Sequence, residues 1–345
     1  MPHETAQRSA HRSWRRVVTA LGLTGALLAA AGCASSPQST TAGSGGGPKG
    51  KTVAFVGYGS TNQWAAYFNG VFTKKLVAKG VKVKDLTTMD PGTAVQNFNQ
   101  AIAEKPDLIV TALLDTTSMA VPIQKAKQAG VPVLVFDGRP DPKVDGDVMQ
   151  VVSDNVALGT AAAQNIVEGL TAQGKKTGKI FVITGTASSL VTQDRMKGFK
   201  AEMASAPQFQ VVETQDGNWD PTRSGQIATQ LLAKYGCSGI QAAYGMADYM
   251  ALPIIASAKQ AGCPVAGQNG LVVTSSNCFK AGIDAIKAGT LYGTATEDPG
   301  TIAEQTADYV LRYFNGENPS KKETVREERV TAKNVDQFAA QCSKA

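Results

Sequence analysis

One helix-then-strand segment occurs twice in this chain. Residues 119–138 read MAVPIQKAKQAGVPVLVFDG and residues 250–270 read MALPIIASAKQAGCPVAGQNG. Each copy is a helical pattern, a glycine that ends it, a Pro-Val strand, and a polar residue followed by Gly at the strand tip. The pairs Gly130/Gly262, Pro132/Pro264 and Asp137/Asn269 are all 132 residues apart. A β/α unit repeated at this distance predicts two similarly built α/β lobes. In open α/β sheets ligands bind beyond the carboxyl ends of the strands. Asp137 and Asn269 are therefore expected to face one another across a cleft.

The rest of the chain fits that architecture. Strand-like runs recur at Thr52–Val56, Val81–Lys84, Asp107–Thr111, Val133–Phe136, Val148–Val152, Ile180–Thr184, Gln210–Glu213 and Ile240–Tyr244, with amphipathic helical patterns between them. Several runs are apolar without alternation, as parallel strands covered on both faces must be. In Thr93–Glu104 the apolar residues Val95, Phe98 and Ile102 fall at near-helical spacing, and Pro106 stops the helix. Such β-α alternation predicts doubly wound parallel sheets.

The N-terminus reads as a targeting segment. Arg8, Arg12, Arg15 and Arg16 precede a short apolar run from Val17 to Ala31, which is shorter than the roughly 20 residues of a membrane span. A basic region, a short apolar run and small residues form an export signal. The run ends Ala29-Ala30-Ala31-Gly32-Cys33 and resembles a bacterial lipoprotein signal, with Ala30 where that pattern usually has Leu. Residues 1–32 are thus expected to be removed, with a lipid on Cys33 anchoring the protein to the outer face of the cell membrane. Residues 33–50, rich in Ser, Thr, Gly and Pro, would form a flexible linker. The remaining 313 residues carry thirty basic and twenty-seven acidic side chains, a net charge of +3. No basic cluster of the kind nucleic acid demands is present.

Four cysteines follow Cys33: Cys237, Cys263, Cys278 and Cys342. An even number in an exported chain favours disulfides, and three pairings are open. Cys237 and Cys263 each follow a helix and precede a strand. They are expected to pair if those strands are neighbours, which leaves Cys278 for Cys342. No cysteine or histidine spacing supports a metal site.

Much chemistry is absent. The two histidines, His3 and His11, lie in the export signal. The remaining chain therefore has no Ser-His-Asp triad, Cys-His pair or histidine general base. It has no GxSxG elbow and no phosphate-binding GxxxxGK[ST] loop. Gly57-Tyr58-Gly59 lacks the third glycine of a dinucleotide fingerprint and reads as a tight turn. No cofactor is expected, and no enzymatic activity. Paired carboxylates such as Asp137, Asp248 and Glu297 keep a sugar-modifying enzyme open as an alternative.

What is present sits at strand tips: Trp64 after the first strand, Asp137-Gly138-Arg139, Gln193-Asp194-Arg195, Trp219, Asp248, Asn269 and Glu297. Aromatic rings pack against the C–H faces of a sugar, and carboxylates, amides and Arg answer its hydroxyls. A neutral polyhydroxylated ligand needs this residue set. Asp194 and Arg195 could equally pair with each other, and Asp154-Asn155 reads as a helix cap beside a hinge.

At these residues the chain resembles the bacterial periplasmic monosaccharide-binding proteins of the ribose-binding type, over about residues 51–330. The resemblance rests on Trp64 with Gly70, the Ala-Gly-Val-Pro-Val run leading to Asp137, Ser153-Asp154-Asn155, Gly198-Phe199, Asp248-Tyr-Met-Ala and Glu297-Asp298-Pro299. It implies two lobes joined by three crossings: residues 51–154 with 299–322, and 155–298 with 323–345. It also implies a monomeric receptor that closes on a sugar or polyol and serves the membrane subunits of an ABC importer. By position, Trp64 and Trp219 would stack on the ligand. Asp137 and Arg139 would bind it from the first lobe, and Gln193, Asp248, Asn269 and Glu297 from the other side and the hinge. Here Arg139 is displaced by one residue by Gly138. Gln193 stands where many members have Arg, Ala247 where Asn is usual, and Asn269 where Asp is usual. These departures favour a polyol or a monosaccharide other than ribose. A sugar-sensing receptor for a signalling partner is the other reading of the same fold.

Overall fold

The computed structural model describes residues 46–342 and Lys344. The expected export signal, Cys33 and the linker up to residue 45 lie outside the described residues. Among the described residues no helix is long and apolar enough to cross a membrane.

The first lobe runs β1 (Thr52–Val56), α1 (Gln63–Ala78), β2 (Lys82–Asp85), α2 (Pro91–Glu104), β3 (Leu108–Thr111), α3 (Thr116–Gln128), β4 (Val133–Asp137) and β5 (Met149–Ser153). The second runs α4 (Asn155–Ala172), β6 (Gly178–Thr184), α5 (Leu190–Met203), β7 (Phe209–Asp216), α6 (Pro221–Tyr235), β8 (Ala242–Gly245), α7 (Asp248–Gln260), β9 (Val272–Thr274), α8 (Lys280–Lys287) and β10 (Gly293–Ala295). The chain then returns through α9 (Pro299–Phe314) and β11 (Lys322–Val325) to the first lobe, and ends in the second with β12 (Arg329–Thr331) and α10 (Val335–Cys342).

The sheets are ordered β11-β5-β4-β3-β1-β2 and β12-β10-β9-β8-β6-β7, the same order twice. Pairing is parallel throughout except for β12 against β10. The duplicated segment explains part of this symmetry. α3 and α7 are 132 residues apart, and both helices are followed by a glycine in the left-handed region, Gly130 (φ 71°) and Gly262 (φ 73°). Apolar clusters cover both faces of each sheet. That is why the strands read as unbroken apolar runs.

Helix starts are set by polar caps. Asn62, Asp90, Asp115, Asp154, Asp220 and Asp298 each accept a hydrogen bond from the third residue of the helix that follows, satisfying a backbone N–H with no intrahelical partner. Asp154 and Asp298 cap at lobe crossings, so the chain changes lobe where a helix begins.

The three crossings are tied together. Thr296 N donates to Glu328 O at 2.9 Å, Glu328 N to Thr296 Oγ1 at 2.7 Å, and Asp154 N to Val325 O at 3.3 Å. β11 pairs with β5 along residues 322–325. The third crossing therefore occupies residues 326–328, and the expected boundary between 322 and 323 falls inside a strand of the first sheet.

Cys237 and Cys263 are disulfide-bonded with Cα atoms 5.1 Å apart, and Cys278 and Cys342 with Cα atoms 4.8 Å apart. β8 and β9 are neighbours, which brings together the helix ends that carry the first pair. Peptide mapping without reductant is expected to recover both cross-linked pairs. Removing Cys237–Cys263, which closes a separation of 26 residues, should destabilise the protein by about 3–4 kcal/mol in denaturant titrations. Free thiols in the map would refute the assignment.

Candidate functional site

Between the lobes, beyond the carboxyl ends of the central strands, lies a small cavity lined by both. The first lobe contributes Tyr58, Asn62, Trp64, Met89 and Asp137. The second contributes Val191, Arg195, Trp219, Tyr249, Asn277 and Glu297. A wider polar mouth, lined by Thr61, Gln63, Thr186, Ser189 and Asn218, continues outward past Tyr58 and Trp219.

Trp64 stands in the first turn of α1, and its ring stacks on that of Phe68 with centroids 5.2 Å apart. Phe68 in turn stacks on Phe136 at 4.2 Å. The column thus ends on the residue before Asp137, and one aromatic stack positions both Trp64 and Asp137. Trp64 is 5 % exposed, and its Nε1 has no hydrogen-bond partner.

Trp219 closes the opposite wall from the loop after β7. It and Asn218 hold left-handed backbone, φ 55° and 54°, a conformation that costs a non-glycine residue of order 1 kcal/mol or more. Local bonds hold it: Asp216 Oδ1 accepts from Asn218 N at 2.7 Å, and Thr186 Oγ1 donates to Asn218 Oδ1 at 2.7 Å.

The floor is an ionic network. Arg195 is 1 % exposed. Its Nη2 meets Glu297 Oε2 at 2.8 Å, its Nε donates to Asn155 Oδ1 at 2.9 Å, and its Nη1 to Met246 O at 2.8 Å. The guanidinium also lies 5.3 Å from the centre of the Trp219 ring. Burial works against its charge, but the Glu297 carboxylate overcomes that and holds its pKa above the ordinary arginine value. Glu297 also accepts from Asn277 Nδ2. Asn277 sits at φ 96° and leaves its Oδ1 buried without a partner.

Asp137 is 4 % exposed and lies at φ 66°. Tyr58 Oη donates to its Oδ2 at 3.3 Å, while its Oδ1 has no donor. Burial raises its pKa well above the usual carboxylate value, and the neighbouring Glu297 charge raises it further, against the opposing pull of Arg195. The cavity therefore holds two carboxylates and one guanidinium, and that guanidinium is already spent on Glu297.

Of the eight residues expected to bind ligand, Trp64, Asp137, Trp219 and Glu297 line the cavity. The other four do not. Arg139 and Asp194 form an ion pair beside the cavity, so Asp194 and Arg195 are not partners. Gln193 donates to Ala187 O on the outside of α5. Asp248 is fully buried beneath the site, where it accepts from Ser275 Oγ at 2.5 Å, Thr294 Oγ1 at 2.6 Å and Phe279 N at 3.0 Å. Asn269 is exposed at the amino end of β9, with Lys175 Nζ 3.3 Å from its Oδ1.

The error at Asn269 has a physical cause. The strand expected at Pro264–Gly267 makes a single bridge, Val265 to Leu271, and the ladder forms only at Val272–Thr274. From Gly130 to Asp137 is seven residues, but from Gly262 to the next tip residue with left-handed backbone, Asn277, is fifteen. The counterpart of Asp137 is thus Asn277, and an extra loop hides it from the 132-residue offset. Arg195 was missed for a related reason. It follows Gln193 by two, and only the rotation of α5 decides which of the two points inward.

Two substitutions separate scaffold from site. Asp248→Ala strands the Ser275 hydroxyl and the Phe279 amide, while Thr294 keeps Asn277 O as an acceptor, and should cost about 2–3 kcal/mol in urea unfolding; no loss would contradict a buried structural role. Asp137→Asn should raise the melting temperature of the ligand-free protein at neutral pH. A carboxyl whose folded pKa is raised loses stability as pH climbs from its unfolded toward its folded value, and Asn removes that loss. The gain should vanish near pH 3.

Comparisons with known proteins bear on the family and the fold. A profile described as periplasmic binding protein domain matches residues 53–318. The fructose import binding protein FruE of Bifidobacterium longum is 26% identical over 322 residues, spanning 90% of this chain and 92% of that protein. The D-ribose/D-allose-binding protein of Pseudomonas aeruginosa is 28% identical over 249 residues, 71% of this chain and 73% of its own. Among solved structures, the Caulobacter myo-inositol binding protein bound to myo-inositol superimposes with a TM-score of 0.77 at 18% identity, over 84% of this chain and 97% of that one.

Proposed function

Given that the chain belongs to the periplasmic binding protein domain family, we propose that it captures a neutral monosaccharide or polyol in the interlobe cavity. In this reading it is an extracytoplasmic receptor, held at the membrane by a lipid on Cys33, and it hands its ligand to an ABC importer as a monomer. It binds and releases without chemistry.

One observation carries the reading. Around a single cavity, Trp64 Nε1, Asp137 Oδ1 and Asn277 Oδ1 are buried polar atoms without partners. An unmade buried hydrogen bond costs about 1–3 kcal/mol, so the Trp64 N–H, the Asn277 carbonyl and the Asp137 carboxyl, which donates when protonated and accepts when ionised, await a ligand. A polyhydroxyl compound answers all three, since each hydroxyl both donates and accepts. Trp64 and Trp219 offer aromatic surface to its C–H faces. An acidic ligand is disfavoured, because Asp137 and Glu297 are present and Arg195 is already neutralised. The curated relatives are named for fructose and for ribose or allose, which supports the class without selecting a member.

Closure supplies the mechanism. The ligand bridges Asp137 of the first lobe and Asn277 of the second, binds the closed form better than the open one, and shifts the population toward it. A thermal-shift panel tests this with D-ribose, D-allose, D-fructose, L-arabinose, myo-inositol, xylitol and glycerol, and with amino acids and nucleosides as controls. A true ligand at a hundred times its Kd stabilises by about 2.7 kcal/mol and is recovered unchanged. Asp137→Ala should abolish the response, and Trp64→Ala or Trp219→Ala should weaken binding at least about tenfold. A response confined to amino acids or nucleosides would overturn the proposal.

A further inference from the structure

Beside the cavity the lobes meet along a seam that no ligand would occupy. Arg139, two residues beyond Asp137 in the first lobe, faces Asp194 on α5 of the second. Its Nε donates to Asp194 Oδ2 at 2.6 Å and its Nη2 to Oδ1 at 3.0 Å, a two-pronged pair. Neither residue lines the cavity. Close by, Leu190 N donates to Thr116 Oγ1 across the same seam at 3.4 Å. Gly138 completes it, for a Cβ there would lie 2.6 Å from Val191 Cγ2. Any side chain there would force Val191 or the lobes themselves to shift.

We propose that Arg139 and Asp194 are positioning residues whose interlobe ion pair, admitted by Gly138, holds the cleft closed independently of ligand. Gly138 separates Arg139 from Asp137, and Arg139 lies at the rim rather than in the cavity. Arg195, anchored to Glu297, supplies the positive charge within. The rim pair is only partly buried, with side-chain exposures of 37 % and 14 %, so its contribution is modest. Arg139 also has Asp145 and Asp141 of its own lobe nearby, and these acidic groups remain available to it when the lobes part. The two-pronged fit with Asp194 is what favours closure over that alternative. Because apparent affinity scales with the fraction already competent to bind, such a pair tightens retention of any ligand without touching it.

Small-angle scattering of the ligand-free protein reads the closed-to-open ratio directly. A failed ligand screen therefore leaves this test intact. Asp194→Asn and Arg139→Gln are each expected to lower the ratio roughly twofold to fivefold, and the double variant by no more than either single, because all three break one interaction. Gly138→Ala should open the cleft without changing any charge. Thermal unfolding of each variant confirms that the lobes are intact. A wild-type protein wholly open without ligand, singles that match the wild type, or additive losses in the double would each overturn the proposal.

Discussion

A buried guanidinium organises this protein. Arg195 is almost wholly withdrawn from water, so its donors are met from within, and each partner comes from a different part of the fold. Asn155 begins the second lobe just past the first crossing, Met246 lies at the tip of β8, and Glu297 stands at the second crossing. The residue can reach all three only because α4 and α5 pack backbone to backbone. A Cβ at Gly159 would lie 1.8 Å from Arg195 O, and one at Gly198 1.9 Å from Val156 O. Losing Glu297 or Arg195 alone would leave an uncompensated buried charge, among the costliest defects a fold can carry. The hinge and the cavity floor are thus one structure.

The remaining walls follow from that floor. With its charge neutralised by Glu297, Arg195 presents a face to Trp219 and leaves Asp137 without a cation of its own. Asp137 is a carboxyl that burial and Glu297 both discourage from ionising. A site so arranged is poorly satisfied when empty. The aromatic column of Trp64, Phe68 and Phe136 keeps Asp137 from escaping to solvent. The unsatisfied groups are therefore held in place rather than relaxed away, which is the condition under which they can favour a ligand.

The two lobes share a strand order but differ in what they bring. The first supplies the rigid aromatic stack and one carboxylate. The second supplies the ion pair, the strained Asn218-Trp219 turn and Asn277. Three crossings, hydrogen-bonded to one another through Thr296, Glu328, Asp154 and Val325, join the lobes at a narrow waist. The Arg139–Asp194 pair at the rim and the residues that line the cavity are spatially separate.

Much of this was legible before any coordinates. Apolar strand runs and capped helices are local patterns, so the parallel α/β lobes could be read from them. The duplicated helix set the correspondence of α3 with α7, and tryptophans and carboxylates at strand tips marked Trp64, Asp137, Trp219 and Glu297 as candidates. Other features belong to the tertiary structure alone. The loop after Gly262 moves the true strand past the repeat, so Asn277 and not Asn269 reaches the cleft. The rotation of α5 sends Gln193 outward, Arg195 into the floor and Asp194 to the rim. Asp248, chemically as plausible a ligand as any, is consumed by Ser275, Thr294 and the Phe279 amide. A sequence states which groups a chain carries and near which strand ends they fall. Which of them are left without a partner depends on packing between segments distant in the chain, and a binding site is made from those.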